Sequence, residues 1–578
     1  MRQFRYAERS RRLLLLRAVL DEATRNPDLT GPLPSPDLAW DLLTHVQEVA
    51  PAAVDAVLGH PYTGSWLGHL NRLIQCRTAD PAPFWVHLGH LHSLAAAAAI
   101  RGNVAFRLVL PVWDGGVVLP TLGVARLGTD AGWATAKVIS DGERIELNAA
   151  PVRVVLTGTR TVDGPNWWSV PRITVTTDNR ELSIRLDSLD PYRGAYEPKA
   201  PERPDWTEVK AWQGLLDDAW RLIVRCLPDY ADAMQAGLDS LVPRAPMTLR
   251  TPSASSGDAF GSVISARPAD AESLAAILVH EFQHIRLSGL LRIAQLYEND
   301  PRERFYAAWR EDPRPIRGVV QGTYAFFGIT ALWRALAAST SDPVGRRRAQ
   351  FEFAFARAVT WRAVGTLGRD ESLTDEGRRF VAGIADVLGR WQTEPVPTDI
   401  TELARQVAAD HYVGWRLRHL RPSSELVAEF AGAWLDSRSP VLDALTSTRS
   451  VVPESAGPWC YARDDLIRLR LLASSREDQH TDLVPDAQPA DLAWAEGRLT
   501  DAVEGYRKQL DLRPDEPTSW AGLAISLSTT EHGRATDLLN SQPEMVRAVH
   551  SAIRERTDAV PNPEDLADWI AQHLSSQR

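Results

Sequence analysis

Apolar residues recur at three- and four-residue intervals through most of the chain, with one block of alternation between them. Leu13, Leu14, Ala18 and Val19, then Ala39, Leu42, Leu43 and Val46, mark helical faces and predict an N-terminal helical region over 1–102. The period then drops to two. Phe106–Leu110 and Val117–Leu119 flank Asp114-Gly115-Gly116, a hairpin-turn signal, and Ile145–Leu147, Val152–Leu156, Arg172–Thr176 and Leu182–Leu186 predict further short strands. These define a β-rich insert over 103–196. The proline-rich stretch Glu197–Asp205 reads as a linker, after which helical patterning returns over 206–474. A polar linker, Ser475–Pro489, precedes Ala493-Trp494-Ala495-Glu496-Gly497, Ala502, Tyr506 and Pro514. Their spacing is that of a tetratricopeptide unit, so 487–578 is expected to form a tetratricopeptide-like helical hairpin region that caps a domain. The predicted fold class is α+β, predominantly helical.

Length and charge narrow the picture. A chain of 578 residues exceeds one ordinary core and is expected to divide into three or four units. Its formal net charge of −10 argues against a nucleic-acid partner, which calls for a concentrated positive field. Among 64 basic residues only Lys137, Lys199, Lys210 and Lys508 are lysines, a bias better explained by codon usage than by binding. Cys76, Cys226 and Cys460 are few, odd in number and far apart, which suits a reducing compartment and offers no cysteine metal site. Arg17 breaks the Leu13–Leu16 run before a signal-peptide core forms, and no apolar run is long enough for a bilayer. A cytoplasmic location without a membrane partner is expected.

The candidate chemistry lies in His280-Glu281-Phe282-Gln283-His284. Residues four apart share a helix face, so His280 and His284 can direct their imidazoles at one metal while Glu281, the candidate catalytic residue, stands beside them. Leu274, Ala275, Ile277 and Leu278 supply the preceding apolar turns, and Asp270 or Ser273 can cap the helix. Upstream, Asp258–Ile264 reads as a strand whose edge could hold an extended peptide, with Asp258 and Phe260 as substrate contacts. Downstream, an almost wholly apolar helix runs from Arg317 to about Leu336, and its polar exceptions, Gln321 and Tyr324, are further substrate candidates. Glu352 sits within the aromatic run Phe351–Phe355, where a carboxylate is costly to bury unless it binds a cation. It is therefore the expected third metal ligand, in competition with an ion pair to Arg348 or Arg357. Gln321 is a weaker ligand candidate. His87, His90 and His92 are expected to pack rather than bind a second metal, because no carboxylate or cysteine accompanies them in sequence. Trp167 and Trp168 read as core or interface residues.

Several strings in one order resemble a known family, the bacterial HEXXH-motif peptide-modification proteins, also described as 2-oxoglutarate-dependent HExxH-type peptide β-hydroxylases. They are Arg11–Ala18, Leu119–Gly123, Leu186–Arg193, Asp258–Gly261, Leu278–His284, Tyr306–Arg310, Asp312–Pro315 and Gln321–Ala325, so the resemblance spans most of the chain. It implies an iron(II)- and 2-oxoglutarate-dependent dioxygenase that uses dioxygen to hydroxylate a side-chain β-carbon of a ribosomally synthesised precursor peptide. Other peptide-modifying enzymes are possible partners. Two histidines and one carboxylate leave metal positions for 2-oxoglutarate and dioxygen, and an arginine must meet the distal carboxylate of the keto acid. Arg310 and Arg314, in family-like strings, are the candidates. The chain departs from the family at Phe326, where a histidine often follows Tyr-Ala, and at Ile285-Arg286, where a lysine is common.

Two rival functions share the motif. In a zinc metallopeptidase Glu281 would be the general base for a zinc-bound water, although no Glu or His string soon after His284 completes a familiar zinc site. In a noncatalytic scaffold the C-terminal helices would recruit a peptide or an enzyme. The intact His280, Glu281 and His284 set weighs against a noncatalytic scaffold, and the oxygenase is the preferred reading.

Overall fold

The computed structural model describes residues 1–128, 132–149, 152–157, 161–194, 197–203, 205–247, 249–442, 449–473, 483–530, 533–557 and 560–575. Position 204 of the first expected linker and 475–482 of the second lie outside the described residues. The fold is mixed α+β and helix-dominated. The chain packs as two compact units, Met1–Ala294 and Gln295–Arg578. The division falls inside the segment 206–474, four residues after the helix Ala271–Leu290 that carries the histidine pair. That helix packs on the helix Trp206–Cys226 and on strands of the first unit, which is why it belongs there.

The first unit opens with helices Arg2–Arg25, Pro36–Val49, Pro51–Leu58, Pro61–Ile74 and Phe84–Arg101. Proline begins three of them, at a position where its missing N–H costs nothing. Seven strands then form an antiparallel sheet: β1 (Phe106–Trp113), β2 (Gly116–Leu119), β3 (Gly123–Arg126), β4 (Trp133–Ser140), β5 (Ile145–Ala149), β6 (Val152–Leu156) and β7 (Trp167–Ser169), in the order β6-β5-β4-β1-β2-β3-β7. Trp113 pairs with Gly116, and the two residues between them, Asp114 and Gly115, both have positive φ (46° and 70°). This is the turn that joins tightly twisted antiparallel strands.

The last strands of the expected β-rich insert belong to a second sheet. It comprises β8 (Arg172–Thr177), β9 (Arg180–Leu186), β10 (Ser240–Arg244), β11 (Ser253–Ala254) and β12 (Ser262–Ala266), in the order β11-β12-β10-β9-β8. The β9-β10 and β10-β12 pairs are parallel and the outer pairs antiparallel. Two expectations change here. The strand predicted over Asp258–Ile264 begins only at Ser262, because the chain turns at Gly261, whose φ is +96° and whose absent Cβ would lie 2.6 Å from Asp239 Oδ2. Moreover, β12 is paired on both sides, and the edge strand on its side of the sheet is the two-residue β11.

The second unit is built on the packed helices Ile316–Ser339 and Pro343–Leu367, followed by Asp375–Trp391, Thr398–His419, Ser424–Leu435 and Ala462–Leu472. A short ribbon pairs Leu420–Pro422 with Arg449–Val451. In the C-terminal segment, Pro489–Ala495 packs on Leu499–Leu512, which packs on Pro517–Thr530. Tyr506 and Trp520 are fully buried there, and Gly522 lets the helices approach, since a Cβ on it would meet the Tyr506 ring at 2.3 Å.

Candidate metal centre

Asp270 caps the helix Ala271–Leu290, its carboxylate accepting the Ser273 backbone N–H at 2.8 Å. Leu274, Leu278 and Phe282 anchor one side of the helix in the core. His280 and His284, one turn apart, are half-buried, with Nε2 atoms 3.2 Å apart and ring planes at 81°. Burial, and secondarily the neighbouring His284, push the His280 imidazole down to about 3, so it is neutral near pH 7, the form in which histidine ligates metals. Two nitrogens bound to one ion at about 2.1 Å, at octahedral or tetrahedral angles, lie about 3.0–3.4 Å apart. The pair therefore fits a metal, although the same distance also suits a hydrogen bond between the rings.

Glu281 has a different environment. Its side chain is buried, and its two oxygens accept hydroxyl hydrogen bonds from Ser253 and Ser255, each at 2.7 Å. Ser253 lies on β11, so the carboxylate fastens the sheet edge to the helix. Gln283, the motif's other polar residue, accepts from Arg286 Nη1 at 3.0 Å and donates to the Tyr230 hydroxyl at 3.3 Å.

The remaining predicted site residues fall in several places. Asp258 accepts hydrogen bonds from Arg11 and, at 2.9 Å, from Arg72, while Phe260 is buried in the core; together they hold the turn before β12. Glu352 belongs to the second unit, where Arg468 donates to it from Nε at 2.9 Å and Nη2 at 3.3 Å. The cation that engages Glu352 is thus neither Arg348 nor Arg357. Arg357 instead donates to the backbone carbonyls of Trp391 and Glu394, and Arg348 lies over the Trp333 ring. Arg310 and Arg314 both donate to Asp312, at 3.0 and 2.7 Å. Gln321 and Tyr324 lie on the helix Ile316–Ser339, the Tyr324 ring 5.1 Å from that of Phe380. Phe326 stacks on Trp309 at 4.6 Å. Among the described residues of the first unit, no third histidine, cysteine or carboxylate joins His280 and His284 in a three-donor cluster.

Such a cluster forms elsewhere, from His69, Asp80 and His87. Burial lowers both imidazoles, His87 to about 4. The expectation that no carboxylate accompanies His87 is therefore corrected: Asp80, from the loop before its helix, lies beside it, together with His69 of the preceding helix. A sequence scan for ligands at local helical spacing passes over this set, because the turn between two helices assembles it. His90 and His92 are buried, His90 against the rings of Tyr192 and Trp66 at 4.8 and 5.2 Å. Trp167 is in the core, and Trp168 lies under the Arg126 guanidinium.

No family model matches the chain, and no curated protein matches it in sequence. Among the described residues, no helix is long and apolar enough to cross a membrane.

Proposed function

We propose that the chain is a metal-dependent oxygenase, an iron(II)- and 2-oxoglutarate-dependent hydroxylase of a peptide side-chain β-carbon. The observation that carries this reading is the pairing of two imidazole nitrogens 3.2 Å apart with a Glu281 whose oxygens are both engaged by serine hydroxyls. A hydrolytic site needs that carboxylate for a metal-bound water. Here it is tied to the sheet edge, which supports reading Glu281 as a group that fixes the helix and His280 and His284 as the metal donors. With iron(II), 2-oxoglutarate and dioxygen bound, such a centre supplies oxidation of a C–H bond to C–OH while the keto acid becomes succinate and carbon dioxide.

In this reading His280 and His284 hold the metal, and Glu281 fixes the helix against β11. Glu352 as the carboxylate ligand, and Arg310 or Arg314 as the partner of 2-oxoglutarate, are carried forward from the sequence alone; in the second unit Glu352 is held by Arg468, and both arginines by Asp312. The peptide substrate rests on the family resemblance; the substrate roles of Asp258 and Phe260 rest on the expected strand edge, and those of Gln321 and Tyr324 on their place as polar residues in an apolar helix. The edge strand Ser253–Ala254 is where an extended chain would add to this sheet.

The test is anaerobic addition of 2-oxoglutarate to the iron(II)-loaded protein. A visible charge-transfer band that disappears in His280→Ala and in His284→Ala is expected. A zinc-loaded protein that cleaves peptides and ignores 2-oxoglutarate would reject the oxygenase in favour of a peptidase.

A further inference from the structure

The first unit contains a second constellation with metal-binding chemistry, formed by residues that the proposed function does not use. His69 lies on the helix Pro61–Ile74, His87 on the helix Phe84–Arg101, and Asp80 in the loop between them. Nε2 of His69 is 3.2 Å from Asp80 Oδ2, and Nε2 of His87 is 3.3 Å from Asp80 Oδ1. The two imidazoles are 4% and 0% exposed, so both donors lie inside the protein. Neither Nε2 has a hydrogen-bond partner, despite the short distances to the carboxylate. Two buried ring nitrogens thus converge on one carboxylate without hydrogen-bond geometry, where an interior polar group ordinarily finds a partner. Each separation is close to the roughly 3.3 Å between ligand atoms of a tetrahedral ion with bonds of about 2.0–2.1 Å; the imidazoles face different oxygens of Asp80 and the three donor atoms lie within 4.8 Å of one another, so a small shift of the carboxylate brings them onto one ion.

Neighbouring groups hold the donors in this orientation. The Ala82 backbone N–H donates to Asp80 Oδ1 at 2.8 Å, which fixes the carboxylate in the loop. Nδ1 of His87 is 3.0 Å from the Tyr192 hydroxyl. With a proton on Nδ1, that imidazole donates to Tyr192 and directs its Nε2 lone pair at the ion, the usual support for a metal-bound histidine. Tyr192 is itself held by a short turn in which its backbone N–H donates to Asp190 at 2.8 Å. His69 and Tyr192 also line a small cleft together with Ser65, Arg72 and Asp258.

We propose that His69, Asp80 and His87 bind a divalent transition-metal ion of the zinc class, separate from the His280/His284 centre, and that this ion ties the helix Pro61–Ile74 to the helix Phe84–Arg101. Three protein donors leave one position of a tetrahedral ion for water. The inference is independent of the oxygenase reading, and the test keeps the two apart.

The full chain carrying His280→Ala and His284→Ala is stripped with a chelator and titrated with zinc alone. One equivalent is expected to bind and to raise the melting temperature. Adding Asp80→Asn, which preserves the shape and the bond from Ala82, is expected to weaken zinc binding by at least about 100-fold, since losing a ligand costs no less than losing a supporting group. Tyr192→Phe, which leaves all three ligands in place, is expected to weaken it by about 10-fold or more. Cobalt(II) in the same background is expected to give the strong visible absorption of a tetrahedral site, a readout that needs no folded Asp80 variant. A double variant that binds no zinc and gives no tetrahedral cobalt spectrum overturns the proposal. Zinc affinity unchanged by Asp80→Asn overturns it equally.

Discussion

Replacing Ser253 and Ser255 together by alanine tests the role assigned to Glu281. The double change removes both hydroxyl donors, each at 2.7 Å, from a carboxylate whose residue is 2% exposed. A hydrogen bond to a charged group contributes about 1.5–3 kcal/mol. Both serines are half-buried, so water can partly replace them, and the low end of that range applies. The expected loss is about 3 kcal/mol in total. In a Glu281→Leu background no carboxylate remains to be left unpaired, and the same serine changes should cost less than about 1 kcal/mol. The cycle should therefore show a coupling of about 2 kcal/mol. Urea unfolding of the four proteins measures it, with each transition fitted separately because two compact units need not unfold together. Serine changes that cost the same in both backgrounds, within about 0.5 kcal/mol, would refute the staple between the helix and the sheet edge.

Glu352→Ala is expected to weaken iron retention more than Glu281→Ala does, as metal analysis after gel filtration would show; full occupancy in Glu352→Ala removes it as a ligand. His411, whose Nδ1 is 3.0 Å from the Tyr306 hydroxyl, is lowered to about 4, mainly by burial. The unfolded chain, with an ordinary value of about 6.5, therefore takes up a proton that the folded state refuses. His411 should thus support stability fully above about pH 6.5, and the second unit should lose about 2 kcal/mol as the pH falls from there to about 4, after allowance for partial exposure. His411→Gln should flatten that part of the pH–stability curve, and an unchanged slope would count against the assignment. Glu544 accepts a bidentate pair from buried Arg416, so Glu544→Ala should cost the second unit about 3–5 kcal/mol by stranding the guanidinium, whereas Arg416→Met with Glu544→Leu should restore much of it in urea unfolding.

What the sequence made legible was local. The His280/His284 pair follows directly from i and i+4 spacing on an apolar helix, the Asp270 cap lies just before it, and Asp114-Gly115 makes the β1–β2 turn. What stayed hidden depends on residues distant in sequence. Glu352 read as a buried carboxylate in need of a cation, but its partner, Arg468, is 116 positions away, and no pattern near Phe351–Phe355 points to it. The apolar residues of β12 signalled a strand correctly, yet period alone does not tell an interior strand from an edge; that depends on β10 and β11 pairing on its two sides. Similarly, the carboxylate sought for the His87 group lies seven residues upstream in a loop, and its second imidazole lies on another helix. The break after Ala294 escaped notice because helical periodicity continues on both sides of it.

The central claim is that His280 and His284 form an oxygen-activating metal site. Its most direct test is mass spectrometry of a precursor peptide incubated with the protein, iron(II), 2-oxoglutarate and air, alongside a binding titration with the same peptide. The account predicts a gain of one oxygen atom with the unaltered protein and none with His280→Ala or His284→Ala, while peptide binding stays largely intact in both. Oxidation that persists in both variants would contradict it, and loss of binding by correctly folded variants would move the two histidines from metal ligation to peptide recognition.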